Sequence, residues 1–209
     1  MSVMMLNAMN DSVTLLANIA RVCVNSLDKS YHELGKDRDA NIKTVTNLYK
    51  KGHWSVFEHC QFTYLVTCSR ACSLQLARHR HISRTEMSQR YVKFANKLDY
   101  AFIFPPGYDA DTEEEMSMCF DAAMDDYRRL VNQGMKPEDA RFVLPEATRT
   151  RMVITLNLRT LLELTEKRAN NSGAQWEIRQ LVRDMWHDVP KDLKDIFKSE
   201  LTWLNETKE

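Results

Sequence analysis

The run Arg78-His79-Arg80-His81-Ile82-Ser83-Arg84-Thr85-Glu86-Met87-Ser88-Gln89-Arg90-Tyr91 limits what this chain can become more than any other stretch. It crowds cations, imidazoles, hydroxyl groups and one carboxylate into a segment without glycine or proline. From Arg70 to Lys97 the basic residues are Arg70, Arg78, Arg80, Arg84, Arg90, Lys93 and Lys97, and Glu86 is the only acid. A net positive segment with directional donors suits a multiply charged anion, phosphate first of all. Arg78 and Arg80 are two apart, so a helix would splay them, whereas a turn or irregular strand lets them converge. The preceding run, Arg70 to Ala77, reads as a helix whose apolar residues Cys72, Leu74, Leu76 and Ala77 are not confined to one face, which argues for burial. Gln75 and Arg78 share a face if that helix continues. The expectation is a buried helix that delivers Arg78, followed by a loop that wraps an anion.

Charge elsewhere sharpens this reading. Over 209 residues, 29 Lys and Arg balance 29 Asp and Glu, so nothing pulls the whole chain toward nucleic acid or a membrane. Against the basic run stands an acidic one, Asp109 to Asp126, with no Lys or Arg inside it. The length suits a single domain, 1–209, able to bury a core. The 5 cysteines are odd in number and no secretion signal precedes them, so free thiols in a cytoplasmic setting are expected. No apolar stretch is long enough to span a bilayer.

Periodicity supplies the elements. Helices are expected over Val13–Val24, with Asp11 or Ser12 as cap, and from Asp37 or Asp39 to Lys51, with Gly52 as a stop. Gln61 to Thr67 alternates and is rich in β-branched and aromatic residues, as a strand is. Tyr100 to Phe104 and Thr148 to Leu156 are two further strands. Helices follow over Thr112–Asn132, Pro137–Arg141, Asn157–Arg168 and from Ala174, with a pair broken at Pro190. The result is a helix-rich α+β domain with a small, mostly antiparallel sheet.

Arg78-His79-Arg80, seven residues, Ser88, then Arg90-Tyr91 resembles the signature of the flavin-dependent thymidylate synthases (ThyX family). Gly52-His53, Ser55 and Phe57-Glu58-His59 resemble that family's flavin-site element. Leu144-Pro145, the Thr/Arg strand, Asn157-x-Arg159, the Leu-rich helix to Arg168 and Gln175-Trp176-Glu177-Ile178-Arg179 resemble its second half. The likeness covers His53 to Arg179. Thr85 departs from it, standing where Asn is common, and Ala169 to Gly173 is one residue longer than the common form.

The resemblance implies a homotetramer with shared sites, reductive methylation of dUMP to dTMP, FAD as cofactor, and 5,10-methylenetetrahydrofolate and NADPH as co-substrates. It places dUMP against Gln75, Arg78, Glu86, Met87, Ser88, Gln89, Arg90, Arg151 and Arg179. It places FAD against Ser30, Ser55, Glu58, Arg78, His79, Arg80, Glu86, Lys167 and Arg168. Arg179 and His53 are the implied catalytic positions, with Arg179 stabilising charge that develops on the uracil ring. The chain has no Gly-x-Gly-x-x-Gly, so a Rossmann flavin site is not expected.

Three rivals are testable. Cys68, Cys72, His79 and His81 offer a zinc ligand set, opposed by the arginines around them. Arg78 to Arg90 with Tyr91 and Phe94 offers a nucleic-acid surface, opposed by the neutral balance. A catalytically degenerate homologue that binds nucleotide without turnover is the third.

Overall fold

The computed structural model describes residues 1–24, 37–92 and 102–205. Strands β1 (Ser2–Ala8), β2 (Gln61–Ser69), β3 (Ile82–Glu86) and β4 (Arg149–Asn157) form one sheet in the order β1-β2-β4-β3, with every pair antiparallel. The two central strands explain its sidedness. Phe62, Tyr64, Val66 and Cys68 alternate inward on β2, and Thr150, Met152, Ile154 and Leu156 do so on β4. The register sets Thr67 opposite Arg151 and Leu65 opposite Val153, so hydroxyls, aliphatics and Arg151 share the outer face.

Helices α1 (Ser12–Val22), α2 (Arg38–Lys50), α3 (Arg70–Ala77), α4 (Ala110–Asn132), α5 (Pro137–Ala140), α6 (Leu158–Leu164), α7 (Trp176–His187) and α8 (Lys191–Ile196) surround the sheet. Several begin where the sequence supplies a cap. Asp37 accepts from Ala40 N at 2.9 Å and Asp109 from Thr112 N at 2.9 Å. Gly52, at φ 72°, ends the α2 segment in a conformation that only glycine adopts cheaply. The amphipathic α7 buries Ile178, Leu181, Val182 and Met185 in the core, and the Tyr64 hydroxyl donates to Met185 O at 3.0 Å across that contact. A smaller cluster of Met124, Tyr127 and Ala140 joins α4 and α5 to Met87, Phe102 and Leu144.

The main expected elements stand, with four corrections. β1 was not expected from the sequence. Part of the basic run is not a loop, because Ile82–Glu86 is an edge strand on β4. Of the expected strand over 100–104, Phe102 makes one bridge to Thr148, while Tyr100 and Ala101 lie outside the described residues. The helix after Asn157 is regular only to Leu164, and then widens into a π-helical turn at Thr165–Ala169. Among the described residues all cysteines are free, and no helix is long and apolar enough to cross a membrane.

Candidate active site

The site begins with α3. Ser69 caps it, its hydroxyl accepting from Cys72 N at 3.0 Å, and the backbone stays helical through Arg78. The chain must then reverse to enter β3. His81 makes that reversal in the left-handed region, at φ 62°, a conformation uncommon in residues other than glycine, though histidine is among those that tolerate it better. Arg78, His79, Arg80 and His81 therefore spread around one tight turn and do not follow a helix face.

That turn forms one wall of a cleft of about 410 Å³. Asn157, at the end of β4, and Arg159, Thr160 and Glu163, on α6, form the facing wall, with Glu58 and Lys167 at its margins. Asn157 also caps α6, accepting from Thr160 N at 2.9 Å. Arg159 is held by Glu58 at 2.7 Å and by Glu163 at 3.3 Å. Among the described residues Arg78 and Arg80 have no carboxylate partner. Four cations, Arg78, Arg80, Arg159 and Lys167, thus line the cleft against two acids, Glu58 and Glu163. Such an excess of donors and charge is a demand for an anion.

The π-helical turn completes the wall. Asn170 N bonds to Thr165 O at 3.0 Å, the five-residue spacing of a π turn, and π turns recur at functional sites. Arg168, on this turn, donates from Nε to His79 Nε2 at 2.9 Å. His79 accepts that bond only as neutral imidazole with Nε2 unprotonated. Burial first, then the neighbouring cations Arg168 and Lys167, hold its pKa below the usual histidine value, with Glu163 opposing them.

Two acids also lie against α3, Glu86 half-buried and Glu177 buried, and both accept hydrogen bonds. Glu86 accepts from Ser73 Oγ at 2.9 Å and Thr150 Oγ1 at 2.9 Å, and is paired with Arg70. Arg84 lies 3.6 Å from its other oxygen. Glu177, 1% exposed, accepts from Ser69 N at 2.7 Å and from the Ser69 hydroxyl.

The family model described as "Thymidylate synthase complementing protein" matches residues 4–193. The flavin-dependent thymidylate synthase of Geobacter sulfurreducens is 37% identical over 205 residues, 95% of this chain and 86% of that protein. That of Saccharolobus solfataricus is 34% identical over 198 residues, 94% of this chain and 75% of that protein. The chain belongs to the flavin-dependent thymidylate synthase family. The fold agrees. Thymidylate Synthase X from Helicobacter pylori, solved with FAD and dUMP, superposes with a TM-score of 0.78 at 20% identity, covering 96% of this chain and 99% of that one. The UMP/dUMP methylase PolB from Streptomyces cacaoi gives a TM-score of 0.78 at 24% identity, covering 95% and 94%.

Of the flavin positions carried over from this family, Glu58, Arg78, His79, Arg80 and Lys167 meet in the cleft, and Arg168 bonds to His79. Ser55 is exposed on the short 3-10 turn Trp54–His59 and does not line it. The Glu86 side chain is spent inside the protein, and Ser30 lies outside the described residues.

Of the nucleotide positions, Arg78 alone lines this cleft among the described residues. Gln75 donates to Gln175 Oε1 at 3.4 Å. Met87 N donates to Arg151 O at 2.8 Å, so Arg151 and the 86–89 segment are neighbours. Ser88 Oγ accepts from Arg90 N at 3.3 Å, the Arg90 side chain is turned to Glu138 at 3.0 Å, and Gln89 is half-buried. Arg151 and Arg179 have no carboxylate partner among the described residues. His53 is exposed ahead of the 3-10 turn, its backbone N bonded to Leu48 O at 3.0 Å, and it does not line the cleft.

Asn157, Arg159, Thr160 and Glu163 were not assigned to the site from sequence. The Asn157-x-Arg159 helix opening was the available signal. The zinc set also comes apart, since Cys68 and Cys72 approach Glu177 while His79 and His81 line the cleft.

Proposed function

We propose that this protein, a single domain over residues 1–209, converts dUMP to dTMP by reductive methylation. It takes the carbon from 5,10-methylenetetrahydrofolate and electrons from NADPH. The observation that supports this reading is the cation-rich cleft between Arg78–His81 and Asn157–Glu163, whose lining includes Glu58, Arg78, His79, Arg80 and Lys167, positions that the family resemblance assigns to flavin.

The donor set fits FAD. Arg78, Arg80, Arg159 and Lys167 suit a pyrophosphate, and neutral His79, pinned by Arg168, suits the edge of a flat ring. When bound, FAD supplies the hydride chemistry. The protein's own contribution is to orient and polarise. Arg78 and Arg151 hold the dUMP phosphate, and the backbone and hydroxyls of Glu86 to Gln89 cradle the nucleotide. Gln75, Arg90 and Arg179 complete the pocket. Arg179 faces the uracil ring, where a fixed cation stabilises the anion left when the ring NH loses its proton. His53 stands at the approach to the flavin.

Because Gln75, Arg151 and Arg179 do not line the single-chain cleft, the nucleotide pocket is completed across subunits of a homotetramer. No nucleic acid or membrane partner is involved, and the protein works in the cytoplasm. The test is the visible spectrum of the purified protein before and after dUMP, with NADPH oxidation followed in parallel. A yellow protein whose spectrum shifts with dUMP and whose NADPH oxidation speeds up supports the reading. A colourless protein that binds oligonucleotides overturns it, and a yellow one without dUMP-dependent turnover makes it a degenerate homologue.

A further inference from the structure

The buried carboxylate of Glu177 lies outside the cleft, yet it ties together the two helices that carry the charged groups of the proposed reaction. One oxygen accepts from Ser69 N at 2.7 Å and the other from the Ser69 hydroxyl. That hydroxyl in turn accepts from Cys72 N at 3.0 Å and so caps α3. Glu177 itself lies in the first turn of α7. One carboxylate thus serves two helix N-termini, each of which favours negative charge.

A second tie runs parallel to the first. Gln175 caps α7, its Oε1 accepting from Glu177 N at 3.1 Å and from Ile178 N at 3.3 Å, and the same oxygen accepts from Gln75 Nε2 at 3.4 Å. Arg78 follows Gln75 by three residues, and Arg179 follows Glu177 by two. The ties therefore fix the separation of the segments that present these guanidinium groups. Burying a carboxylate forfeits hydration that neutral donors only partly restore. An apolar residue would fill the same space without that cost, and it would leave the α3 cap unlinked to α7.

We propose that Glu177 is a positioning residue for the reaction, acting through Ser69 to hold the helix of Arg78 at a fixed distance from the helix of Arg179. This rests on the roles given to those arginines under the proposed function. A misplacement near 1 Å costs on the order of a hundredfold in turnover, so even partial loosening is measurable.

The test compares wild type, E177Q, S69A and S69T for flavin absorbance, urea midpoint, and kcat and KM for dUMP. E177Q keeps the shape and loses the second acceptor. It is expected to retain flavin while kcat/KM for dUMP falls at least about tenfold. S69A breaks the hydroxyl link but keeps the backbone bond, and it is expected to show the same defect at smaller size. S69T retains the hydroxyl and restores wild-type turnover. The E177Q/S69A double variant is no worse than E177Q alone, as two members of one link require. If E177Q does not accumulate, the contrast between S69A and S69T decides. Active wild type, together with E177Q and S69A within about twofold of it in kcat/KM, overturns the positioning role alone, even where both variants lose stability. Wild type that shows no dUMP-dependent NADPH oxidation overturns the functional reading, and the positioning role falls with it.

Discussion

On one flank of α3 the guanidinium groups of Arg78 and Arg80 line a cleft and have no carboxylate partner among the described residues. On the other flank Glu86 and Glu177 are withdrawn from solvent and surrounded by donors. The same short helix thus adjoins cations that face a cavity and acids that are held by donors inside the protein. Unpaired cations around a cavity contribute little to folding and are kept for a ligand. Hydrogen-bonded acids withdrawn from the surface hold the scaffold. If this contrast is right, substitutions on the two flanks divide cleanly between activity and stability.

The largest effect belongs to the acidic flank. Glu86→Ala strands Arg70 and the hydroxyls of Ser73 and Thr150, and should lower stability by about 3–5 kcal/mol. A urea midpoint close to wild type would break the contrast. Arg179→Ala comes next. Its kcat should fall about a hundredfold, roughly 3 kcal/mol, while flavin content and urea midpoint stay near wild type. Equal loss of turnover and flavin would remove the role given to it.

Arg80→Ala is a sharper probe of the open flank. It should change stability by under about 0.5 kcal/mol, yet release flavin on gel filtration, with a salt dependence weaker than wild type. The smallest effect is that of pH on His79. Its pKa is depressed on folding, so below the unfolded value the unfolded chain binds more protons than the folded one. The stability it contributes is complete above the ordinary histidine range, and is lost as pH falls toward its lowered folded value. An NMR titration of the imidazole should show that lowered midpoint, and His79→Gln should flatten this part of the stability profile.

The chain announced these flanks unevenly. Arg78-His79-Arg80 was legible as a ligand-binding turn because its chemistry is local, and so were Gly52 and the helix start at Asp37. The destination of the Glu86 side chain was not, because it depends on β3 pairing with β4, which sets Glu86 opposite Met152. Arg159 was legible only as part of the Asn157-x-Arg159 helix opening, and it is the fold that brings it to the cleft of Arg78–His81. β1 escaped notice because Ser2-Val3-Met4-Met5-Leu6-Asn7-Ala8 has little β-branched character and lies at a half-exposed edge. Glu177 had no role of its own in the Gln175-Trp176-Glu177-Ile178-Arg179 motif, because its burial depends on α7 packing against the start of α3.

The widened turn at Thr165–Ala169 has its own consequence for how this chain tolerates change in length. A regular α-helix advances about 100° per residue, so the surplus residue absorbed here sets the azimuth of everything beyond it. Deleting one residue from the turn would let the helix rewind without a break, yet it would remove the widening on which Arg168 meets His79. Such a deletion would leave a well-formed screw with its thread cut out of phase. A one-residue length difference between this chain and a relative in this segment is therefore a change of aim as well as of size.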